Sequence, residues 1–505
     1  MCPRISYLHL ASYLRSSSCS ASPGLLCLRL MIGVGQLDYP VNRINCQQQM
    51  SSIAQVMPQD VVREIFTYFG TYYLDTDIPN HFPWYLGHIC SQWRTTLLSI
   101  GPRYLSVSSC EVDVTDIRWS FKYDRIANVV THFLELNRGR QFDINLFYDC
   151  TGTSFHQDIW MDKVSHIFRL LAAESDRWRR VNLYVCPRAC GAALYQLKDQ
   201  LPSMQSLRLT HISCRYQDCF SDNRDTPRDI FSNTPSLTHV ELSYSTWDWE
   251  FDWSNLTYLN LTFGVCRDHR PMFLSLQQAI NLNTLVTHKI TDPIDISERI
   301  TLPRLESWWI FDCRWLSYIK APALQNLCIS GYEADIDVIR LFLSESGCDL
   351  TGLTLACLNT HTSQLIEILQ HAPELIHLNL VPFDDNIVDS IIESLGAAYP
   401  LVGAELLAPR LQSLQVRTSN YDFLTNRTFD GLSKLLSLRN GQAADNGGRP
   451  VARLNSLILR KDVVRREGRL IRLCEAFRVE LRSPENALPL LTKYQRMMLS
   501  GTKEW

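Results

Sequence analysis

From residue 178 onward one hydrophobic pattern returns, Leu-x-x-Leu-x-Leu with conservative replacements. Its copies are Trp178–Val181–Leu183, Met204–Leu207–Leu209, Leu237–Val240–Leu242, Leu256–Leu259–Leu261 and a weaker Leu282–Leu285–Thr287. They continue as Leu305–Trp308–Ile310, Leu324–Leu327–Ile329, Leu350–Leu353–Leu355, Leu375–Leu378–Leu380, Leu411–Leu414–Val416 and Leu454–Leu457–Leu459. Within each copy the last apolar positions alternate with polar ones, as a strand buried on one face requires. Between copies lie stretches of helical periodicity, for example residues 336–344 and 363–371. Six copies are preceded by proline, at 202, 235, 303, 322, 373 and 409. Proline disfavours helix in the residue before it, so it predicts an end to each helix just ahead of the strand. Upstream, residues 106–114 and the alternating Phe142-Asp-Ile144-Asn-Leu146 read as strands, and residues 125–137 and 160–173 read as helices.

The middle apolar positions step by 19 to 43 residues, mostly 19 to 26. That interval is similar to leucine-rich repeats, in which each unit adds one strand and one helix and cannot bury its apolar face without a neighbour. In that pattern the third residue past the last leucine is Asn or Cys, whose side chain satisfies backbone groups in the turn. Here it is Cys186 and Cys313 in two copies, but Ile212, Gly264, Leu358 and Phe383 in others. The expectation is therefore an α/β chain with a parallel sheet in an irregular leucine-rich-repeat-like solenoid, interrupted by inserts at 214–229 and 419–448.

Residues 57–100 form a different pattern. Val61, Val62, Ile65, Phe66 and Phe69 fall on one helical stripe, entered through Pro58 and Asp60. Leu86, Ile89, Cys90, Trp93, Leu97 and Ile100 make a second stripe. The order Met57-Pro58, Val61-Val62, Ile65-Phe66, Ile89-Cys90, Trp93-Arg94 resembles the F-box, most closely the fungal type whose second half reads Pro-Trp-x-Leu-Gly-x-Val-Cys-x-x-Trp-Arg. Met57 in place of leucine and a long loop at 70–82, read as a solvated excursion, are departures. The resemblance implies a helical domain that binds a Skp-type adaptor through Met57, Pro58, Val61, Ile65, Phe66, Ile89, Cys90 and Trp93. Through that adaptor it would reach a cullin-RING ubiquitin ligase. The chain would then be a substrate receptor, not an enzyme, working in the cytoplasm or nucleus. The alternative is a repeat scaffold that binds protein partners without recruiting a ligase.

The organisation that follows is a disordered or mis-assigned segment at 1–50, an F-box at 51–105, a substrate-recognition solenoid at 106–483 and a tail at 484–505. Residues 1–37 lack acidic residues, which resembles a mitochondrial transit peptide. An F-box has no use in that compartment, so the tail reading is preferred. Hydrophobic residues at 46% and a net charge of −3 point to a globular chain and away from nucleic acid or an anionic membrane as main partner. No apolar run is long enough for a transmembrane helix. The 17 cysteines are scattered through apolar patterns, as free thiols are in a reducing compartment. The Cys186/Cys190 and Cys214/Cys219 pairs with His211 fit no standard zinc spacing, and neither metal nor cofactor is expected. Asn255 and Asn260 match the glycosylation pattern by chance.

Strand alternation also predicts which residues face outward from the sheet: Arg208, Glu241, Asn260, Trp309, Phe311, Asn379, Gln415 and Arg417. Arg208, Glu241, Trp309, Phe311 and Arg417 are the expected substrate-binding set, centred on the aromatic pair. The competing expectation is that a loop insert, such as the one around residues 247–253, covers Trp309 and Phe311.

Overall fold

The computed structural model describes residues 57–68, 73–75, 90–100, 109–113, 120–147, 157–185, 194–211, 229–243, 250–262, 270–290, 299–330, 335–356, 361–383, 385–396, 407–418, 426–440, 451–459 and 468–482. The expectations for residues 1–50 and 484–505, Ile89 and the Cys186/Cys190 and Cys214/Cys219 pairs lie outside them. The chain divides into two compact units, residues 1–72 with 78–107, and residues 73–77 with 108–505.

In the first unit, helices α1 (Gln59–Tyr68) and α2 (Ser91–Ile100) pack on each other. Val62 on α1 and Trp93 on α2 are completely buried. Gln92 donates from Nε2 to the Met57 carbonyl at 3.1 Å, joining the start of one helix to the start of the other.

Among the described residues, the second unit is built on one sheet of fifteen strands, all parallel. They are β1 (Tyr73–Asp75), β2 (Ser109–Asp113), β3 (Phe142–Phe147), β4 (Trp178–Val185), β5 (Ser206–His211), β6 (His239–Ser243), β7 (Tyr258–Thr262) and β8 (Thr284–Thr287). The short pair β9 (Ile300–Thr301) and β11 (Ile319–Lys320) forms a separate ladder. The main sheet continues with β10 (Ser307–Ile310), β12 (Asn326–Ser330), β13 (Gly352–Ala356), β14 (His377–Phe383), β15 (Ser413–Thr418), β16 (Ser456–Leu459) and β17 (Glu480–Arg482). Strand order follows chain order without exception, so each repeat lies beside the one before it. Every expected copy of the leucine motif coincides with a strand from β4 to β16.

The helices of this unit are α3 (Ser120–Leu136), α4 (Gln157–Ala172), α5 (Arg270–Leu276), α6 (Ile336–Ser346), α7 (Thr362–Gln370), α8 (Asp385–Leu395), α9 (Asn426–Asn440) and α10 (Gly468–Phe477). Asp335 caps α6 by accepting the amides of Asp337 and Val338, and Gly347 ends it at φ 62°. Between β10 and β12 a short 3-10 turn, Cys313–Ser317, stands in place of a helix, and another 3-10 turn lies at Trp253–Asn255, which makes the repeat irregular. Cys313 plays the expected turn role, its Sγ accepting the Asp335 amide at 3.0 Å.

The first leucine of each motif anchors the core. Met204, Leu237, Leu256, Leu282, Leu305, Leu324, Leu350, Leu375, Leu411 and Leu454 are all buried to within 1%. Full burial of such a side chain contributes about 2 kcal/mol. It closes a four-residue turn, its amide donating to the carbonyl three residues earlier, as in Leu237 to Thr234 at 3.0 Å and Leu324 to Ala321 at 3.1 Å. The prolines at 202, 235, 303, 322, 373 and 409 sit second in this turn, where a fixed φ and a missing N–H cost nothing. Their function is thus to start the strand turn, and not merely to end a helix.

Two expectations need correction. Residues 73–75, placed in a solvated loop, form the edge strand β1, which pairs with β2 through Leu74 and Cys110. Residues 460–482, basic and of helical appearance, read from the sequence as a solvated capping helix; their described part, 468–482, is helix α10 followed by a strand, and the helix is not solvated on every face. Leu470 and Cys474 of α10 are buried, and the chain goes on to the last strand, β17.

Polar pins hold the last repeats. Arg439, buried at the end of α9, donates to the carbonyls of Leu407, Ala408 and Leu411 at 2.9–3.2 Å. Burial pushes its guanidinium down to about 10, still cationic at neutral pH. Asn440 holds the next turn, donating to Leu454 and Phe477 and accepting from the Leu454 amide. Replacing Arg439 by Met removes the donor of the Leu407 and Leu411 carbonyls and leaves Ala408 with the Leu411 amide alone. The Arg439→Met chain should lose about 3 kcal/mol of stability, read as an earlier denaturation midpoint. An unchanged midpoint would show that these carbonyls find other partners.

Candidate functional site

Parallel register lines up one outward-facing residue per strand across the sheet. The row runs Glu111, Asn145, Asn182, Arg208, Glu241, Asn260, Val286, Trp309, Cys328, Thr354, Asn379, Gln415, Ile458. The sheet thus brings together Arg208, Glu241, Asn260, Trp309, Asn379 and Gln415, as alternation requires. Arg417 lies two residues past Gln415 on β15, with its side chain outside the described residues.

Accessibility divides this row. The Arg208 side chain is 52% exposed and that of Glu241 34%, and they pair at 3.4 Å. Beyond β6 the row closes: Asn260 is 3% exposed, Val286 1% and Trp309 7%. Of the two expectations for Trp309, the exposed anchor is therefore corrected, and burial of the ring is what the structure shows. Its ring belongs to a buried layer, with Val286 beside it on β8 and the half-buried Cys328 on β12. Burial raises the Cys328 thiol to about 12, so it stays protonated. Phe311 is half-buried and lies flat on His288 with ring centroids 4.1 Å apart. Burial holds His288 down at about 4, so the ring is neutral at pH 7. Trp308, on the opposite side of the same strand, is fully buried and donates to the Thr287 hydroxyl at 3.1 Å.

The open part of the face lies on β4 to β6, and alternation alone did not single it out. Arg180 and Arg208 are exposed there, and His239 stacks on Tyr258 at 5.7 Å. Burial, and then the charge of Arg180, lowers the His239 pKa below its ordinary value. Arg179 makes a two-pronged ion pair with Asp143, both bonds 2.9 Å, and the strand register shifts beside it. Arg180, His239 and Tyr258 sit two positions before Asn182, Glu241 and Asn260 of the outward row. Following the alternation a step further back along each strand would have found them.

Two other expectations are placed by the structure. Asn260 is buried on β7, and the Asn255 amide nitrogen is bonded to Asp252 at 2.8 Å, which suits neither to glycosylation. In the helical unit, Pro58 is exposed and Met57, Val61 and Cys90 are half-buried, while Trp93 is sealed inside. Trp93 therefore supports the surface made by its neighbours instead of forming it. Ile65 and Phe66 lie on α1, with side chains outside the described residues.

No protein-family model and no curated protein matches the chain. Among solved structures, it is similar to a crystal structure of a TLR13–ssRNA13 complex, at 14% identity and a TM-score of 0.29 over 71% of this chain. The chain spans only 40% of that structure's chain. The fold assignment therefore stands on strand order and register. It is an α/β repeat with a long parallel sheet, an architecture suited to protein–protein contact. Among the described residues, no helix is long and apolar enough to cross a membrane.

Burial of Trp309 carries a direct consequence. Trp309→Ala should lower the melting temperature of the chain by several degrees, the cost of emptying a packed site being about 3–5 kcal/mol. A melting temperature equal to that of the parent would show the ring is dispensable to the core and return it to the list of contact residues.

Proposed function

We propose that this chain is the substrate-recognition subunit of a Skp–cullin–F-box ubiquitin ligase. Its helical unit would bind the Skp-type adaptor, and its parallel sheet would hold a protein substrate. The observation that carries the reading is the placement of the F-box-like motif. Its described residues fall within or directly before α1 and α2, which pack together around Val62 and Trp93. Met57, Pro58, Val61 and Cys90 of the same motif stay at least partly accessible, as a contact surface needs.

On this reading the chain performs no ubiquitin transfer. Its contribution is proximity: a substrate bound on the sheet is held at high effective concentration near the ligase. The substrate would be a protein, and the complex would work in the cytoplasm or nucleus. The repeat sheet without adaptor recruitment would leave a binding scaffold.

Ile65 and Phe66 lie in the second half of α1, on the motif's most specific pair. Changing both to Ala should abolish co-precipitation of a purified Skp-type adaptor by the full chain. The circular dichroism of the sheet and helices should be retained. Undiminished co-precipitation would remove the ligase role and leave the scaffold.

A further inference from the structure

The open stretch of sheet face between β4 and β6 carries more positive charge than its own partners neutralise. Three guanidinium groups gather there. Arg179 is held by Asp143 in a two-pronged pair, and Arg208 meets Glu241 at 3.4 Å. Arg180 is exposed, and among the described residues it has no ion-pair partner. Asp143 is the register neighbour of Arg180 on β3, but both of its carboxylate oxygens are taken by Arg179, and the next carboxylate in the Arg208 row, Glu111, is three strands away. The Arg208–Glu241 pair is itself solvent-exposed and so weakly held, and an incoming carboxylate can replace Glu241.

Two polar groups beside these arginines lack partners. The Thr210 hydroxyl is unpaired in a residue only 7% exposed, and the Asn182 side-chain oxygen is buried without a hydrogen bond. Thr210 lies two residues past Arg208 on β5, and Asn182 lies opposite Arg208 on β4. A ligand crossing these strands would supply donors that the chain itself does not.

We propose that this face binds an extended acidic segment of a partner protein, laid across β4 to β6. One carboxylate of the segment sits on Arg180 and a second on Arg208. Arg180 is two residues before Asn182, so the two guanidinium-bearing positions are roughly 8 Å apart by strand geometry. Alternate side chains on one edge of an extended peptide repeat at about 6.6–7 Å. Acidic residues at i and i+2 therefore match the arginine pair within the reach of the flexible side chains, and backbone amides of the segment can donate to Asn182. The inference rests on the sheet being the substrate face of the proposed receptor and is independent of whether the helical unit recruits an adaptor.

The test uses the full chain and two fluorescein-labelled ten-residue peptides, one alternating Glu and Ser, the other alternating Gln and Ser. Fluorescence anisotropy should show the Glu peptide binding at least about tenfold more tightly than the Gln peptide, with affinity falling as salt rises. Arg180→Glu with Arg208→Glu should remove that preference. The milder Arg180→Gln should weaken it several-fold, and Arg340→Glu, an exposed arginine on α6, should leave it intact. Equal binding of the two peptides overturns the proposal. So does undiminished binding by the double variant, or an equal loss from Arg340→Glu, which would mark non-specific charge attraction. Adaptor co-precipitation on the same preparations reads the ligase role separately. Peptide binding without adaptor capture sinks only that role, and adaptor capture without peptide preference sinks only this one.

Discussion

The run of repeats from β5 to β16 depends on one carbonyl per repeat that accepts two amides from the next. From Gln205 to Gln412, the carbonyls of Gln205, Thr238, Thr257, Asn283, Glu306, Gln325, Thr351, Ile376 and Gln412 each receive two consecutive N–H groups at 2.8–3.1 Å. Those two amides belong to the residues directly after the buried leucine. The leucine therefore sets where the strand begins, and the shared carbonyl sets its register against its neighbour. A single repeat has no partner for either, which is why the units must stack. The same device tolerates inserts of any length after the strand, because each strand is restarted by its own turn.

That freedom divides the molecule's labour. The leucine side of the sheet is uniform and buried, while the outer side varies from strand to strand. On β4 to β6 the outer residues are arginine, asparagine, histidine and glutamate with solvent access, and on β8 and β10 they are Val286 and Trp309 in a closed layer. Under the receptor reading, recognition belongs to the first stretch, while the second is part of the packed interior. Under the receptor reading, the helical pair adds a separate recruiting surface whose own core, Val62 and Trp93, is independent of the repeat.

The strands from β4 to β16 were legible because leucine spacing and alternation both report one-sided burial. Even the irregularity was legible, since the turn position after each strand lacks a constant Asn or Cys. Edge strand β1 was not, because Tyr73-Leu-Asp75 has only three residues and the sequence has no leucine three positions before Leu74 to complete the motif. Prolines were read as helix breakers, whereas their position in the turn could only be seen once the turn hydrogen bonds were placed. The exposure of Trp309 was the clearest failure. Alternation tells which side of a sheet a residue occupies, but burial on that side depends on what packs over it, and no local pattern encodes that. Arg180 and His239 were missed for a smaller reason: they lie on the outward side at the strand entry, before the motif's diagnostic positions.

The most direct measurement is hydrogen–deuterium exchange on the full chain with and without a purified Skp-type adaptor. The account predicts new protection confined to the amides of Gln59–Tyr68 and Ser91–Ile100, with the strand amides of the repeat sheet unchanged. Adaptor-dependent protection in the sheet, or none in either helix, would contradict the assignment of recruitment to the helical pair.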